Sequence, residues 1–291
     1  ECEVRALSGL GDAYYSRGRM ITSLDYFRRC IDLCRVHGFG RIAVGNQYMV
    51  AWNRLYLTEM VGARDDAMAA VESAVQVGHR RAEMVARLTT GRVLLELGEV
   101  SEAETHIERG LSLADSLGAN RFKPFLVLHL ARAQFAQQGP TPEIAAMMEE
   151  ALEISRETGI GFLGPWVLGT LALVHGDAAR SRAALGDGEK LLQGDCVGHN
   201  YYAFYRDAIE VMLRQEDWDE AERYAAELED YVRPEPLPWS DFVIARARAL
   251  AGHGRGEKDP AIVETLRGLQ RQATEARMTV SQAALDAALA G

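Results

Sequence analysis

Apolar positions fall three and four residues apart along nearly the whole chain, with small residues set among them at wider intervals. The first stretch shows the unit. Leu7, Leu10-Gly11 and Tyr14 come first, and Ser23, Phe27 and Cys30 follow beyond Gly18. Such spacing predicts two helices joined by a tight turn. Small residues at Gly11 and Ser23 let the helices approach closely, while Tyr14 and Phe27 fill the space between hairpins. No alternating apolar run of strand length competes.

The unit returns as Thr90-Gly91, Leu94, Ala103, Ile107 and Gly110. It returns again as Leu168-Gly169, Ala172, Ser181, Leu185 and Gly188, and as Tyr205, Ala208-Ile209, Met212, Ala221, Ala225 and Leu228. Looser copies lie near Leu55 with Ala67, Val71 and Ala74, near Ala131 with Ile144, Met148 and Ala151, and near Ala247 with Val263 and Leu266. Gly18, Gly62, Gly98 and Gly139 are expected between the helices of a hairpin. Gly38, Gly78, Gly118 and Gly159 are expected after second helices, where a left-handed residue often ends the helix. Pro142 and Pro260 suit the first turn of second helices. The prolines of segment 233–238 predict a stiff, extended connector. Hairpins are therefore expected near 4–38, 41–78, 83–118, 123–159, 162–194, 201–232 and 239–278. A closing helix is expected at 281–290, with Ser281 as its N-cap.

These units resemble tetratricopeptide repeats, although their spacing of roughly 36 to 44 residues exceeds the usual 34. The resemblance implies an all-α, right-handed superhelical solenoid of about seven hairpins and about fourteen main helices. No hairpin can bury its apolar face alone, so stacking supplies the core, and first helices line a concave surface. The expectation is one solenoid over 1–291. The opening Glu1-Cys2-Glu3-Val4-Arg5 carries neither an initiator Met nor an apolar signal core, and it reads as helix interior. A piece of a longer protein is expected.

Composition narrows the function. Hydrophobic residues make up 48% and charged residues 25%, ordinary for a folded protein. No run of apolar residues is long enough for a membrane span. A net charge of −10 opposes direct binding to nucleic acid, which needs clustered Lys and Arg. Cys2, Cys30, Cys34 and Cys196 form no dense framework, and free thiols in a reducing cytoplasm are the simplest expectation.

No catalytic constellation emerges. The glycine-rich stretch 252–259 lacks the spacing and hydroxyl residue of a phosphate-binding loop. Cys30, Cys34 and His37 share a helix face and could offer two thiolates and an imidazole to zinc. The favoured alternative makes Cys30 a small buried residue and His37 a cation at a helix C-terminus. Acidic pairs such as Glu149-Glu150 and Asp65-Asp66 sit among polar neighbours, as on solvated faces. No nucleophile is paired with a base. The chain is expected to hold no cofactor, no metal and no catalytic residue.

The concave surface is the better candidate. In this register the residue after each anchor, and the one three before it, face inward. That selects Asp12, Trp52, Tyr56, Arg92, Leu128, Arg132, Trp166, Arg206, Glu210, Ile244 and Arg248. Arg offers forked donors and Trp rigid contact area, a combination suited to an anionic or aromatic ligand. The alternative is that each Arg pairs with a nearby carboxylate such as Asp12 or Glu210.

Three stretches carry a further likeness. They are 6–15 (Ala-Leu-Ser-Gly-Leu-Gly-Asp-Ala-Tyr-Tyr), the segment from Phe27 through Gly40, and Phe204 through Arg223. They resemble the C-terminal repeat region of bacterial class III adenylate/guanylate cyclase–ATPase multidomain proteins. The family's catalytic domains have no counterpart in this sequence, so no catalytic residue carries over. The resemblance implies a regulatory arm that binds a protein or peptide partner, a small effector, or adjacent cyclase and ATPase domains of the same polypeptide. Similar solenoids also form adaptors and the sensor arms of ATPase-type transcription regulators.

Overall fold

The computed structural model describes residues 1–257 and 259–290. Lys258, in the glycine-rich stretch, and Gly291 lie outside the described residues. Within these bounds the chain is all helix, with no strand. Helices pair as α1 (Cys2–Ser16) with α2 (Met20–His37), α3 (Gly40–Arg54) with α4 (Met60–Gln76), and α5 (Arg80–Glu96) with α6 (Val100–Leu117). Next come α7 (Lys123–Gln138) with α8 (Pro142–Thr158) and α9 (Ile160–Val174) with α10 (Ala178–Leu192). The last pairs are α11 (His199–Arg214) with α12 (Trp218–Val232) and α13 (Pro238–Gly254) with α14 (Pro260–Ala276). A final helix, α15 (Thr279–Ala290), closes the array.

The anchors act through size. A Cβ added at Gly11 would stand 2.8 Å from the Phe27 ring, so only glycine lets α1 and α2 close to this distance. The turns that follow set the register. Gly18, Gly98 and Glu216 have positive φ, each seven positions after Gly11, Gly91 and Ile209. In the second hairpin the left-handed residue is Thr58, at φ 59, which makes Ala51 the anchor rather than Leu55. A short 3-10 turn, Leu55–Leu57, extends α3, and Gly62 falls inside α4 rather than in the turn. α15 begins at Thr279, so Ser281 lies within the helix and not at its cap.

The superhelix returns on itself. The backbone N–H of Gly198 donates to Ser16 O at 2.8 Å, and the Tyr202 hydroxyl donates to Gly18 O at 2.6 Å. Segment 233–238 is no free spacer. The Glu235 carboxylate accepts from the N–H of Ile21 at 2.8 Å and the Thr22 hydroxyl at 2.5 Å, at the start of α2. One side chain thus serves orphan donors at a helix N-terminus. Farther along, the Thr279 hydroxyl donates to Leu97 O at 2.9 Å, and Arg277 lies 3.5 Å from Glu99. The sixth and seventh hairpins therefore touch the first three. The axis that an open solenoid would leave as a groove is mostly filled by side chains of the first helices.

Candidate functional site

The first helices converge on an aromatic cluster. Trp52 of α3, Phe125 of α7 and Trp166 of α9 meet edge to face, with ring centroids 5.4 to 6.2 Å apart. His199 of α11 joins them 5.0 Å from Phe125. Proline positions this junction. Pro165 has no N–H to give Gly161 O, which accepts instead from the N–H of Val197 at 3.0 Å and the Asn200 amide at 3.2 Å. The next carbonyl, Phe162 O, takes His199 Nε2 at 2.6 Å, and Asn200 Oδ1 receives the Trp166 N–H at 3.2 Å. α11, with Val197 just before it, thus satisfies the backbone groups that Pro165 frees in α9. The other ring nitrogen, Nδ1, accepts from the Tyr15 hydroxyl at 2.6 Å and links α1 to the junction. Burial lowers the His199 pKa to about 3, so the imidazole is neutral and donates from Nε2.

Beside the cluster the surface opens into a cavity of about 350 Å³. Its apolar walls are Tyr15, Tyr48, Trp52, Phe122, Phe125 and Phe162. Asp12, Arg81 and Arg121 stand exposed on its rim. The Arg81 guanidinium lies 5.5 Å from the Phe122 ring and that of Arg121 lies 4.0 Å from the Phe162 ring. Neither is ion-paired among the described residues, so both remain available to an external acceptor. Partial desolvation against the mouth raises the pKa of the Asp12 carboxyl above the ordinary aspartate value. The mouth combines rigid aromatic area with forked cationic donors, as recognition surfaces do.

The sequence-selected residues take several different places. Asp12 and Trp52 line this mouth. With Ala51 as the anchor, Tyr48 is the second inward residue of its hairpin, and it lies in the mouth as well. Tyr56 is fully buried deeper in the axis, 4.9 Å from Tyr202 and 5.6 Å from Trp239. Arg92 and Trp166 are also inside, with Trp166 fully buried. Arg132 reaches Asp207 at 2.8 and 3.0 Å. Arg206 reaches Asp207 at 3.0 Å and Glu96 at 2.9 Å. Burial opposes the Asp207 charge, but Arg132, Arg206 and the Thr170 hydroxyl hold its pKa below the ordinary value. Glu210 pairs with the buried Arg246, and Leu128 is core. Arg248 pairs with Glu229 at 2.7 Å beside Ile244, in a separate recess. The carboxylates that meet Arg132, Arg206 and Arg248 are thus Asp207, Glu96 and Glu229, not Asp12 or Glu210.

Arg81, Arg121, Phe122 and Phe162 were not legible as site residues. They sit at or before the starts of α5, α7 and α9, a turn or more ahead of the positions the repeat rule selects. Turn chemistry was the only available signal, since Arg121 and Phe122 fall in the loop after Gly118. Elsewhere, Cys30 and Cys34 are buried, the Cys30 thiol donates to Val4 O at 3.4 Å, and burial pushes its pKa to about 12.

Residues 4–39 match the model of the tetratricopeptide repeat family. No curated protein sequence matches the chain. Among solved structures it is similar to the apo form of RapI, with a TM-score of 0.52 and 14% identity over 87% of this chain and 83% of that one. It is also similar to a Rap protein complexed with competence and sporulation factor, with a TM-score of 0.54 and 12% identity over 99% of this chain and 74% of that one. At these identities the likeness is one of fold. The chain is a helical-repeat solenoid of the tetratricopeptide type. Among the described residues, no helix is long and apolar enough to cross a membrane.

Proposed function

We propose that the chain is a non-catalytic regulatory module that binds a protein or peptide segment, or a small effector, in the aromatic mouth. The observation that carries this is the pair of exposed, unpaired guanidiniums, Arg81 and Arg121, set over aromatic walls. The segment that fits presents an aromatic or aliphatic side chain to Tyr48, Phe122 and Phe162, and a carboxylate to the arginines. Complex formation with competence and sporulation factor by a protein of this fold is consistent with ligand binding. The resemblance of its repeats to those of cyclase–ATPase proteins supports a role as the arm that governs such domains. Cytoplasmic residence and the absence of direct nucleic-acid contact belong to the same reading.

Calorimetric titration with short peptides pairing an aromatic and an acidic residue tests the mouth. Binding should weaken by about 1–3 kcal/mol in Arg121→Ala, the worth of one charge-assisted contact, with the thermal midpoint unchanged. Binding indifferent to both Arg81→Ala and Arg121→Ala removes the mouth as the site. The coding sequence upstream of Glu1 tests the parent assignment. Cyclase and phosphate-loop motifs there support it, whereas a DNA-binding domain transfers the module to a transcription regulator.

A further inference from the structure

Arg92 is the hub of the filled axis and is only 5% exposed. Its guanidinium carbon lies 4.1 Å from the Trp52 ring, 5.0 Å from Tyr56 and 5.1 Å from Trp166. Ring faces attract the cation but leave its in-plane N–H groups without an acceptor. Nε and Nη1 have no hydrogen-bond partner among the described residues. Among the described residues no carboxylate lies within ion-pair reach of Arg92, although Arg132 and Arg206 both have one. Trp166 Nε1 and the Tyr56 hydroxyl are buried and equally without an acceptor. His129, with its ring 5.4 Å from Trp166, has no partner at either nitrogen among the described residues.

The charges do not balance. The buried Arg92 and the part-buried Arg132 and Arg206 share two carboxylates, Asp207 and Glu96. His129 adds no negative charge. Its burial, with these three arginines beside it, holds its pKa well below the ordinary value, so it is neutral. A low-dielectric interior penalises one unpaired charge heavily. Water would supply acceptors but no charge.

We propose that the axis binds one small anion, a halide or a carboxylate group, on Arg92 Nε and Nη1 with the Trp166 indole and the Tyr56 hydroxyl. The anion supplies both things these groups lack, an acceptor and a negative charge. Trp52 lines the mouth and lies 4.1 Å from the Arg92 guanidinium, whereas Arg92 itself does not line the mouth. The anion site stands whether or not the mouth holds a partner.

Tryptophan fluorescence of the full chain, titrated with sodium bromide at constant ionic strength, reads the site. A saturating quench is expected, since bromide would sit beside Trp52 and Trp166. It should weaken more than tenfold in Arg92→Met and roughly fivefold in Trp166→Phe, which loses one neutral donor but keeps a ring. Acetate that displaces bromide identifies a carboxylate site, and a plateau that acetate leaves unmoved identifies a halide site. Crystals of the wild-type chain grown in bromide should give an anomalous peak at Arg92, a readout independent of any variant's folding. Strictly linear quenching, with no bromide peak near Arg92, overturns the proposal and leaves Arg92 as a cation held by aromatic faces and water.

Discussion

Arg132 and Asp207 stand 75 positions apart in the chain, yet their side chains meet at 2.8 Å inside the superhelix. Asp207 is fully buried and also holds Arg206 and Thr170. One carboxylate thus ties α7, α9 and α11 together. Removing it should be costly, because two guanidiniums would remain in a low-dielectric interior with one acid fewer. Asp207→Ala is expected to lower unfolding stability by about 3–5 kcal/mol in urea titrations. Arg132→Met should cost less, since Asp207 keeps Arg206. Equal losses in the two variants would contradict this division of roles.

Acid should destabilise the fold through its buried histidines. His199 is lowered to about 3 and His129 well below the ordinary 6.5, both chiefly by burial. The unfolded chain gains these protons near pH 6.5, while the folded chain refuses them until far lower. Their stabilising contribution is therefore full above about pH 6.5 and is lost as pH falls toward 3. The thermal midpoint should drop across that window, and His129→Phe should flatten the slope. An unchanged slope would mean that His129 is protonated in the fold.

Ring closure should be sensitive at Gly198. A Cβ there would stand 2.3 Å from the backbone nitrogen of Gly18, which cannot move without shifting the end of α1. Gly198→Ala is expected to destabilise by about 1–3 kcal/mol, as overpacking does. Cleavage by a protease in the loop before α11 should quicken. Wild-type proteolysis in this variant would show that the contact between α1 and α11 is dispensable.

The thiols should sort by burial. Cys2 is exposed, and Cys30 and Cys34 are buried. Titration of the native chain with a thiol reagent should label Cys2 at once and Cys30 and Cys34 only on unfolding. About one zinc per chain by elemental analysis, lost in Cys34→Ala, would instead restore the cluster with His37 as a metal site.

Much of the architecture was legible because it depends on local spacing. Gly11 against Phe27, and the turn glycines at 18, 38, 98 and 118, are contacts and conformations settled within one hairpin. The second hairpin misled because its left-handed residue is Thr58. A β-branched residue at positive φ carries none of glycine's sequence signal, so the anchor was placed at Leu55 rather than Ala51.

By itself, then, the sequence determined the helices and their pairing. It could not determine what the inward side of each first helix meets. Whether Arg92 and Trp166 line an open groove or a filled axis depends on how far the solenoid turns before it touches itself. That turn accumulates from small rotations at every hairpin interface, and no single repeat encodes it. Contacts such as Tyr202 with Gly18, 184 positions apart, close the ring. Closure turns most of the predicted groove into core and leaves the mouth between the C-terminal halves of α1 and α3 and the N-terminal ends of α5, α7 and α9. There, Arg81 and Arg121 gained an importance that their sequence positions did not show.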